Sequence, residues 1–302
     1  MEILPYTPDM VSSVTAFYNR LTTDVPHCYP VDEKEFAHAM RGVTDKVKDS
    51  KILDSEAAFV TMKRGSVLGF AHVGIGQIGD YREVEVGIIR FLGYERGARH
   101  AGQAVLEEAE AYLQACNLAQ IFAFSADCVY PFYHLEYACL SDVLDHVHAL
   151  FGFNGYRRHM SEVFLNWTDF SVTLTPSKEP ITLTVNWEQK EGEERPNCDV
   201  FAHLDGKQVG VCESVSGGRF SRHADAQDWL VTIWLDVYGA FQGQGIGRHL
   251  LQRSLQEMHN VGYRHAAVST NGENYRALLF YGNCGYRVAD WTYEYHKKLG
   301  LN

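Results

Sequence analysis

The residues best suited to chemistry lie in one short run, Gln242-Gly243-Gln244-Gly245-Ile246-Gly247-Arg248, where three glycines occupy every second position. Residues 229–237, rich in branched and aromatic side chains, precede it and predict a strand. Ile246, Leu250, Leu251, Leu255 and Met258 follow at helical spacing. A glycine-rich turn that opens a helix leaves backbone N–H groups unpaired at the positive end of the helix, which suits a phosphate. Two nucleotide loops are excluded by spacing. A Walker loop ends in Gly-Lys-Ser/Thr, whereas Gly247 is followed by Arg248 and His249. The dinucleotide fingerprint places its third glycine five positions after the first, whereas Gly243, Gly245 and Gly247 are evenly spaced.

The spacing does satisfy Gln/Arg-x-x-Gly-x-Gly/Ala, through Gln242, Gly245 and Gly247. Further along, Asn274-Tyr275-Arg276-Ala277-Leu278-Leu279-Phe280-Tyr281 runs into Gly282-Asn283-Cys284-Gly285-Tyr286. Between the two runs there is room for one helix, one strand over residues 266–270 and the start of a second helix. Together they resemble the pyrophosphate-binding motif and the C-terminal motif of the GNAT superfamily, the acyl-CoA-dependent N-acyltransferases. The resemblance covers the C-terminal half.

That resemblance implies acetyl-CoA, or another acyl-CoA, as co-substrate, a small-molecule amine or peptide as acceptor, and no metal. It assigns the pantetheine arm to the strand end Leu235-Asp236-Val237. It assigns the pyrophosphate to the amides of Gln242, Gly243, Gln244, Gly245, Ile246 and Gly247, assisted by the charge of Arg248. Tyr281 becomes the general acid that protonates the departing thiolate, against the plainer reading of a core aromatic beside Phe280. Asn274 becomes a helix cap that also touches the cofactor arm. No residue stands out as the base. Asp236 and Glu213, on predicted central strands, are candidates, and each reads equally well as a strand-end charge. Direct attack by the amine needs no protein nucleophile, so Cys284 reads as a small buried thiol.

A second glycine run, Gly74-Ile75-Gly76-Gln77-Ile78-Gly79, matches the dinucleotide pattern but is followed by alternating residues that predict a strand. It reads as a strand-to-strand loop.

The chain also repeats itself. At a shift of 143 residues Gln242 falls on Arg99, Gly245 on Gly102 and Gly247 on Ala104, so the same rule is met a second time. Residues 229–235 fall on 86–92, and the shift continues until residues 264–267 fall on 121–124. Polar hairpin turns recur at Lys63-Arg64-Gly65-Ser66 and Asp205-Gly206-Lys207-Gln208. Gly285-Tyr286-Arg287 matches Gly155-Tyr156-Arg157 at a shift of 130, so the first half carries about 13 extra residues, placed around 130–147. The halves differ in their chemistry: Phe151 stands in the Tyr281 position, no Asn matches Asn274, and one glycine replaces three. The first half opens with a strand and two helices, one after Thr7-Pro8-Asp9 and one capped by Asp32 with Glu35. The second runs from a strand at 181–188 almost directly into another at 199–204. The expectation is an α/β (α+β) fold of two tandem GNAT-like domains, each a mixed, mostly antiparallel sheet flanked by helices. The segments are a degenerate domain over 1–168, a linker over 169–180 containing Pro176, Ser177, Lys178 and Pro180, and a catalytic domain over 181–302. Two other readings fit the same motifs: acyl-CoA binding by both domains with either catalytic, and a non-catalytic acyl-CoA sensor.

Composition bounds the partners. The 302 residues are 46% hydrophobic and 22% charged with a net charge of −11, which disfavours nucleic acid and anionic membranes and tilts toward cationic acceptors. No run is long enough for a membrane span, and Met1-Glu2-Ile3-Leu4-Pro5 lacks a basic leader region. Seven cysteines without C-x-x-C pairs predict reduced thiols in a cytoplasmic protein. The choice between monomer and homodimer is left open by the sequence. His146 and His148, near Asp142 and Asp145, read as a solvated helix face rather than a metal site.

Overall fold

A computed structural model describes residues 1–41, 43–44, 50–51, 53–77, 84–175 and 180–299. Residues 78–83, which complete the second glycine run and its predicted strand, and Pro176, Ser177 and Lys178 of the predicted linker lie outside them. The chain divides into two compact units, one of residues 1–162 with the stretch from Asp290 onward, the other of residues 163–289.

The elements run β1 (Glu2–Pro5), α1 (Val11–Leu21), α2 (Glu33–Ala39), β2 (Val43–Thr44), β3 (Ser50–Lys51), β4 (Asp54–Lys63), β5 (Ser66–Gly76), β6 (Val86–Tyr94), α3 (Arg99–Ala115), β7 (Gln120–Ala123), β8 (Leu140–Ser141), α4 (Asp145–Phe153) and β9 (Arg157–Trp167). They continue as β10 (Thr182–Glu188), β11 (Asn197–Leu204), β12 (Lys207–Ser216), β13 (Trp229–Val237), α5 (Ile246–Asn260), β14 (His265–Asn271), α6 (Tyr275–Cys284) and β15 (Arg287–Lys298). Both predicted hairpins form. Arg64 and Gly65 have φ of 52° and 78°, and Asp205 and Gly206 have φ of 50° and 75°. Two successive left-handed residues give the two-residue turn whose twist matches that of paired strands. Asp32 caps α2 as its spacing predicts, its Oδ1 accepting from Glu35 N at 2.8 Å.

In the first unit the sheet order is β1-β4-β5-β6-β7-β15, with β6 and β7 parallel and the other pairs antiparallel. Helix α3 covers β4, β5 and β6 with Val105, Leu106, Ala109 and Leu113, all buried. Tyr18 of α1 and Phe36 of α2 join Phe91, Tyr130 and Phe132 in a packed aromatic cluster. Every residue of β6 is buried. In the second unit the order is β9-β14-β13-β12-β11-β10, with β13 and β14 parallel. Helix α5 covers β11, β12 and β13 with Leu250, Leu251, Leu255 and Met258. As the sequence predicts, among the described residues this unit has no counterpart of α1 and α2: β10 leads to β11 with no helix between them. Its β13 is only partly buried, and Trp234 is 56% exposed.

The two closing strands are dealt differently from the repeat. From Asp290 onward β15 belongs to the first unit, where Tyr295 pairs with Ala123 and Thr292 with Ser141. Residues 163–167 of β9 belong to the second, where the Trp167 ring lies 5.8 Å from that of Tyr286. Alternation along a strand encodes its buried face, not the sheet edge it joins. The repeat register also slips. Ile89 pairs with Ala123 and Thr232 with Val268, so the offset of 143 at β13 becomes 145 at β14, because α5 runs two residues further than α3.

The histidine pair is not a solvated face. His148 is buried, its Nδ1 2.8 Å from Tyr295 Oη and its Nε2 3.0 Å from Ser141 O, and burial lowers its pKa. The extra residues therefore add an amphipathic piece of core. Among the described residues no disulfide joins any of the seven cysteines, no three His, Cys, Asp or Glu are grouped to hold a metal, and no helix is long and apolar enough to cross a membrane.

Candidate active site

Between β13 and β14 the sheet opens. Their parallel pairing runs from Trp229↔His265 to Thr232↔Val268 and stops there. A bulge at Glu213/Ser214 pairs Glu213 with Trp234 and Ser214 with Thr232, passing over Ile233 and turning β13 aside. From there to Val237, β13 stays paired with β12 on one edge, through Gly210↔Val237, while its other edge faces a cleft.

The loop beyond β13 is shaped by two left-handed glycines, Gly243 at φ 78° and Gly245 at φ 87°. A Cβ at either would meet nothing within 4 Å, so both lie against open space. Gly245 is the N-cap of α5, and the first N–H groups of that helix have no partner within it. Gln242 braces the loop with its side chain: Nε2 donates to Val237 O at 2.8 Å, and Oε1 accepts from Arg276 Nη1 at 3.3 Å. A Cβ at Gly247 would make an ordinary contact with Val237 Cγ2, at 3.5 Å, so packing there does not require a glycine.

Helix α6 supplies the third wall. Asn274 caps it, Oδ1 accepting from Ala277 N at 3.1 Å. Tyr281 is 8% exposed, and burial pushes its hydroxyl pKa well up, so it holds its proton at neutral pH. Cys284 is half-buried; burial raises its thiol pKa while Arg248 pulls it down, and the net direction is up. The cleft measures about 590 Å3 and brings together Leu235, Asp236, Val237, every predicted loop residue from Gln242 to Arg248, Asn274 and Tyr281. Glu213 is not in its lining. It sits on β12 directly opposite Asp199, and burial together with that second carboxylate raises its pKa.

Known proteins are similar to this chain. The model of the acetyltransferase (GNAT) family matches residues 163–286, nearly the span of the second unit. A tandem GNAT protein from the clavulanic acid biosynthesis pathway, solved without AcCoA, is similar over 100% of this chain and 99% of its own, at 12% identity and a TM-score of 0.64. Residues 163–286 match the GNAT family, and the chain as a whole shares the fold of a tandem GNAT protein. A GCN5-related N-acetyltransferase from Sphaerobacter thermophilus is similar over 100% of this chain and 97% of its own, at 13% identity and a TM-score of 0.63. A GCN5-related glucosamine N-acetyltransferase region of a fungal multi-domain GH3 β-N-acetylglucosaminidase covers 98% of this chain, which spans 38% of that protein, at 13% identity and a TM-score of 0.65. No curated protein matches the sequence.

The GNAT match over residues 163–286 makes acyl-CoA the implied co-substrate, and the residues fit one: open left-handed glycines, helix N–H groups without partners in the helix, and two cationic side chains. Sequence reasoning named one of those cations, Arg248. It missed Arg276, which lines the same cleft, although its place in the first turn after Asn274 was a usable signal. It also missed Thr175, which reaches the cleft because its N–H donates to Gln252 Oε1 at 2.9 Å and its carbonyl lies 2.8 Å from His249 Nδ1. A contact between a linker and a helix has no sequence periodicity to betray it.

Proposed function

We propose that this protein transfers an acetyl group from acetyl-CoA to a primary amine by direct attack, within the second unit. The observation that carries this reading is the convergence, in one cleft, of the unpaired edge of β13, the loop of Gly243 and Gly245, and the buried Tyr281 hydroxyl. Acyl-CoA supplies a thioester-activated acyl group and departs as a thiol. The free edge of residues 233–237 binds the pantetheine arm as an added strand would, and holding reactants in attack geometry removes several kcal/mol of barrier. The loop amides, with Arg248 and Arg276, hold the pyrophosphate. Tyr281, kept protonated by burial, delivers a proton to the thiolate. Glu213, or Asp236 at the cleft wall, takes the proton from the incoming ammonium, directly or through water. The open sheet face that carries Asp199, Glu213 and Trp234 receives a cationic amine acceptor.

The first unit supports this division. His72 pairs with Phe91 beside a bulge as Glu213 pairs with Trp234, which makes it the counterpart of Glu213, and it lies fully buried between Glu56 (2.9 Å) and Tyr130 Oη (3.0 Å). Its counterpart of Tyr281 is Phe151, stacked on Tyr295. Neither position offers a proton donor or acceptor to a ligand. The proposed domains are accordingly a degenerate 1–168 and a catalytic 181–302, with β9 and β15 exchanged at their ends.

Acetyl-CoA turnover against a panel of amines, comparing the native chain with Tyr281→Phe, tests the reading. Amine-dependent release of CoA that drops in the variant supports it. CoA binding without turnover of any amine would instead identify an acyl-CoA sensor.

A further inference from the structure

The first unit repeats the strand–loop–helix of the cofactor cleft, yet its own side chains fill the groove. At the shift of 143, β6 lies on β13, Tyr94 on Val237 and Gly102 on Gly245. In the second unit Gln242, Gly243, Gln244 and Gly245 form an open loop, whereas their counterparts are the first turn of α3. Ala101 N and Gly102 N donate to Ala98 O at 2.8 and 3.3 Å, so these amides do not face a ligand.

The groove above them is occupied by Tyr94. A Cβ on Gly102 would lie 2.4 Å from Tyr94 Cδ1, so this glycine serves ring packing and not phosphate approach. His146 of α4 boxes the other side of the ring edge-to-face, with centroids 4.7 Å apart. The two residues latch reciprocally. Tyr94 Oη donates to His146 O at 2.8 Å, and His146 Nε2 donates to Tyr94 O at 2.8 Å. The carbonyl engaged is the counterpart of Val237 O, which Gln242 Nε2 likewise holds, so the units differ in the ring and not in this bond. Two neighbouring side chains are engaged as well: Arg99 lies over the Phe153 ring at 4.4 Å, and Gln103 exchanges hydrogen bonds of 2.9 and 3.0 Å with Asn154. All three partners, His146, Phe153 and Asn154, come from α4 and its C-cap. The same helix holds β15, through His148 Nδ1 to Tyr295 Oη at 2.8 Å and Phe151 stacked 5.3 Å from Tyr295.

We propose that Tyr94 is a built-in occupant of the first unit's cofactor groove: α4, the counterpart of the α6 wall, latches it there so that acyl-CoA is excluded, and clamps the chain's last strand. The first unit then serves as a dock for β15 instead of a second catalytic centre. This inference rests on reading the second-unit cleft as the acyl-CoA site, since the groove is defined as its counterpart.

Two measurements separate the inference from that reading. Calorimetry of the full chain with coenzyme A, combined with a photoreactive CoA analogue, is expected to give one molecule per chain, labelling the residues around 235–248. Two molecules per chain, or label around residues 94–104, overturns the proposal. Absence of any binding overturns the second-unit reading and leaves the plug to the second measurement, which uses no ligand. Gly102→Ala is expected to lower Tm by several degrees in the native chain and by much less in a Tyr94→Val background, where the ring that the new methyl meets is gone. Equal losses in both backgrounds refute the plug.

Discussion

Gly245→Ala isolates the cofactor loop from the rest of the fold. Gly245 sits at φ 87° and ψ −2° as the N-cap of α5, with open space where a Cβ would project. An alanine held left-handed costs roughly 1–2 kcal/mol, a Tm loss on the order of 5 °C for a unit of this size. No protein atom meets the methyl, so any further effect is read by the ligand. A methyl between the loop amides and a pyrophosphate removes at least one hydrogen bond to a charged acceptor, worth about 1.5–3 kcal/mol, or roughly ten- to hundredfold in Kd. Gly282→Ala is the control. It lies inside α6, also with open space around a Cβ and without a left-handed φ, and it should gain about 0.5–1 kcal/mol from helix propensity alone. Calorimetric titration with coenzyme A, alongside thermal melts of both variants, provides the assay. If Gly245→Ala loses stability but binds coenzyme A like the native chain, the loop does not hold the pyrophosphate and the assignment of the cleft fails.

Tyr281→Phe keeps the buried ring and removes only the proton donor. It should lower kcat by about 10²–10⁴ while leaving the Kd of coenzyme A within about twofold; unchanged kcat removes Tyr281 from the mechanism. Asn274→Ala removes the side-chain cap of α6 and should cost about 1 kcal/mol of stability, read as a lower midpoint in urea. A midpoint that does not move would show the cap to be idle. Asp199→Asn tests the base. Burial and the Asp199 carboxylate both hold the Glu213 pKa up, so activity is lost as pH falls through that raised value. Neutralising Asp199 lowers it, and the acid limb of kcat/KM should move to lower pH; a limb that stays put points to Asp236 or to water.

The C-terminal motifs could be read directly because they are local. Gly243 and Gly245 act through backbone geometry set by neighbouring residues, Gln242 through a side-chain bond to Val237 five residues earlier, and Asn274 caps the helix that it precedes. Strand β13 has the boundaries that its branched and aromatic run predicts, and the two hairpins follow from Arg64-Gly65 and Asp205-Gly206. Residues that act across the fold were hidden. Arg276 joins the cleft by the pitch of α6, and Thr175 by a hydrogen bond to a helix distant in sequence. His146 looked solvated because its partner, Tyr94, lies on a strand fifty residues earlier in the chain, near enough in space for two hydrogen bonds but invisible to periodicity.

The sequence by itself determined that the chain carries the GNAT pattern twice, and that the second copy keeps the glycines, the Asn and the Tyr, because those features depend on short-range backbone and helix geometry. Tertiary structure alone decided which strand end each unit receives and how the first copy lost its groove. Both depend on the partner a residue meets across the sheet. One strand's alternation says which face is buried and nothing about what covers it. Asp290 onward joins the first unit, and Tyr94 closes over Gly102, because packing brought those surfaces together.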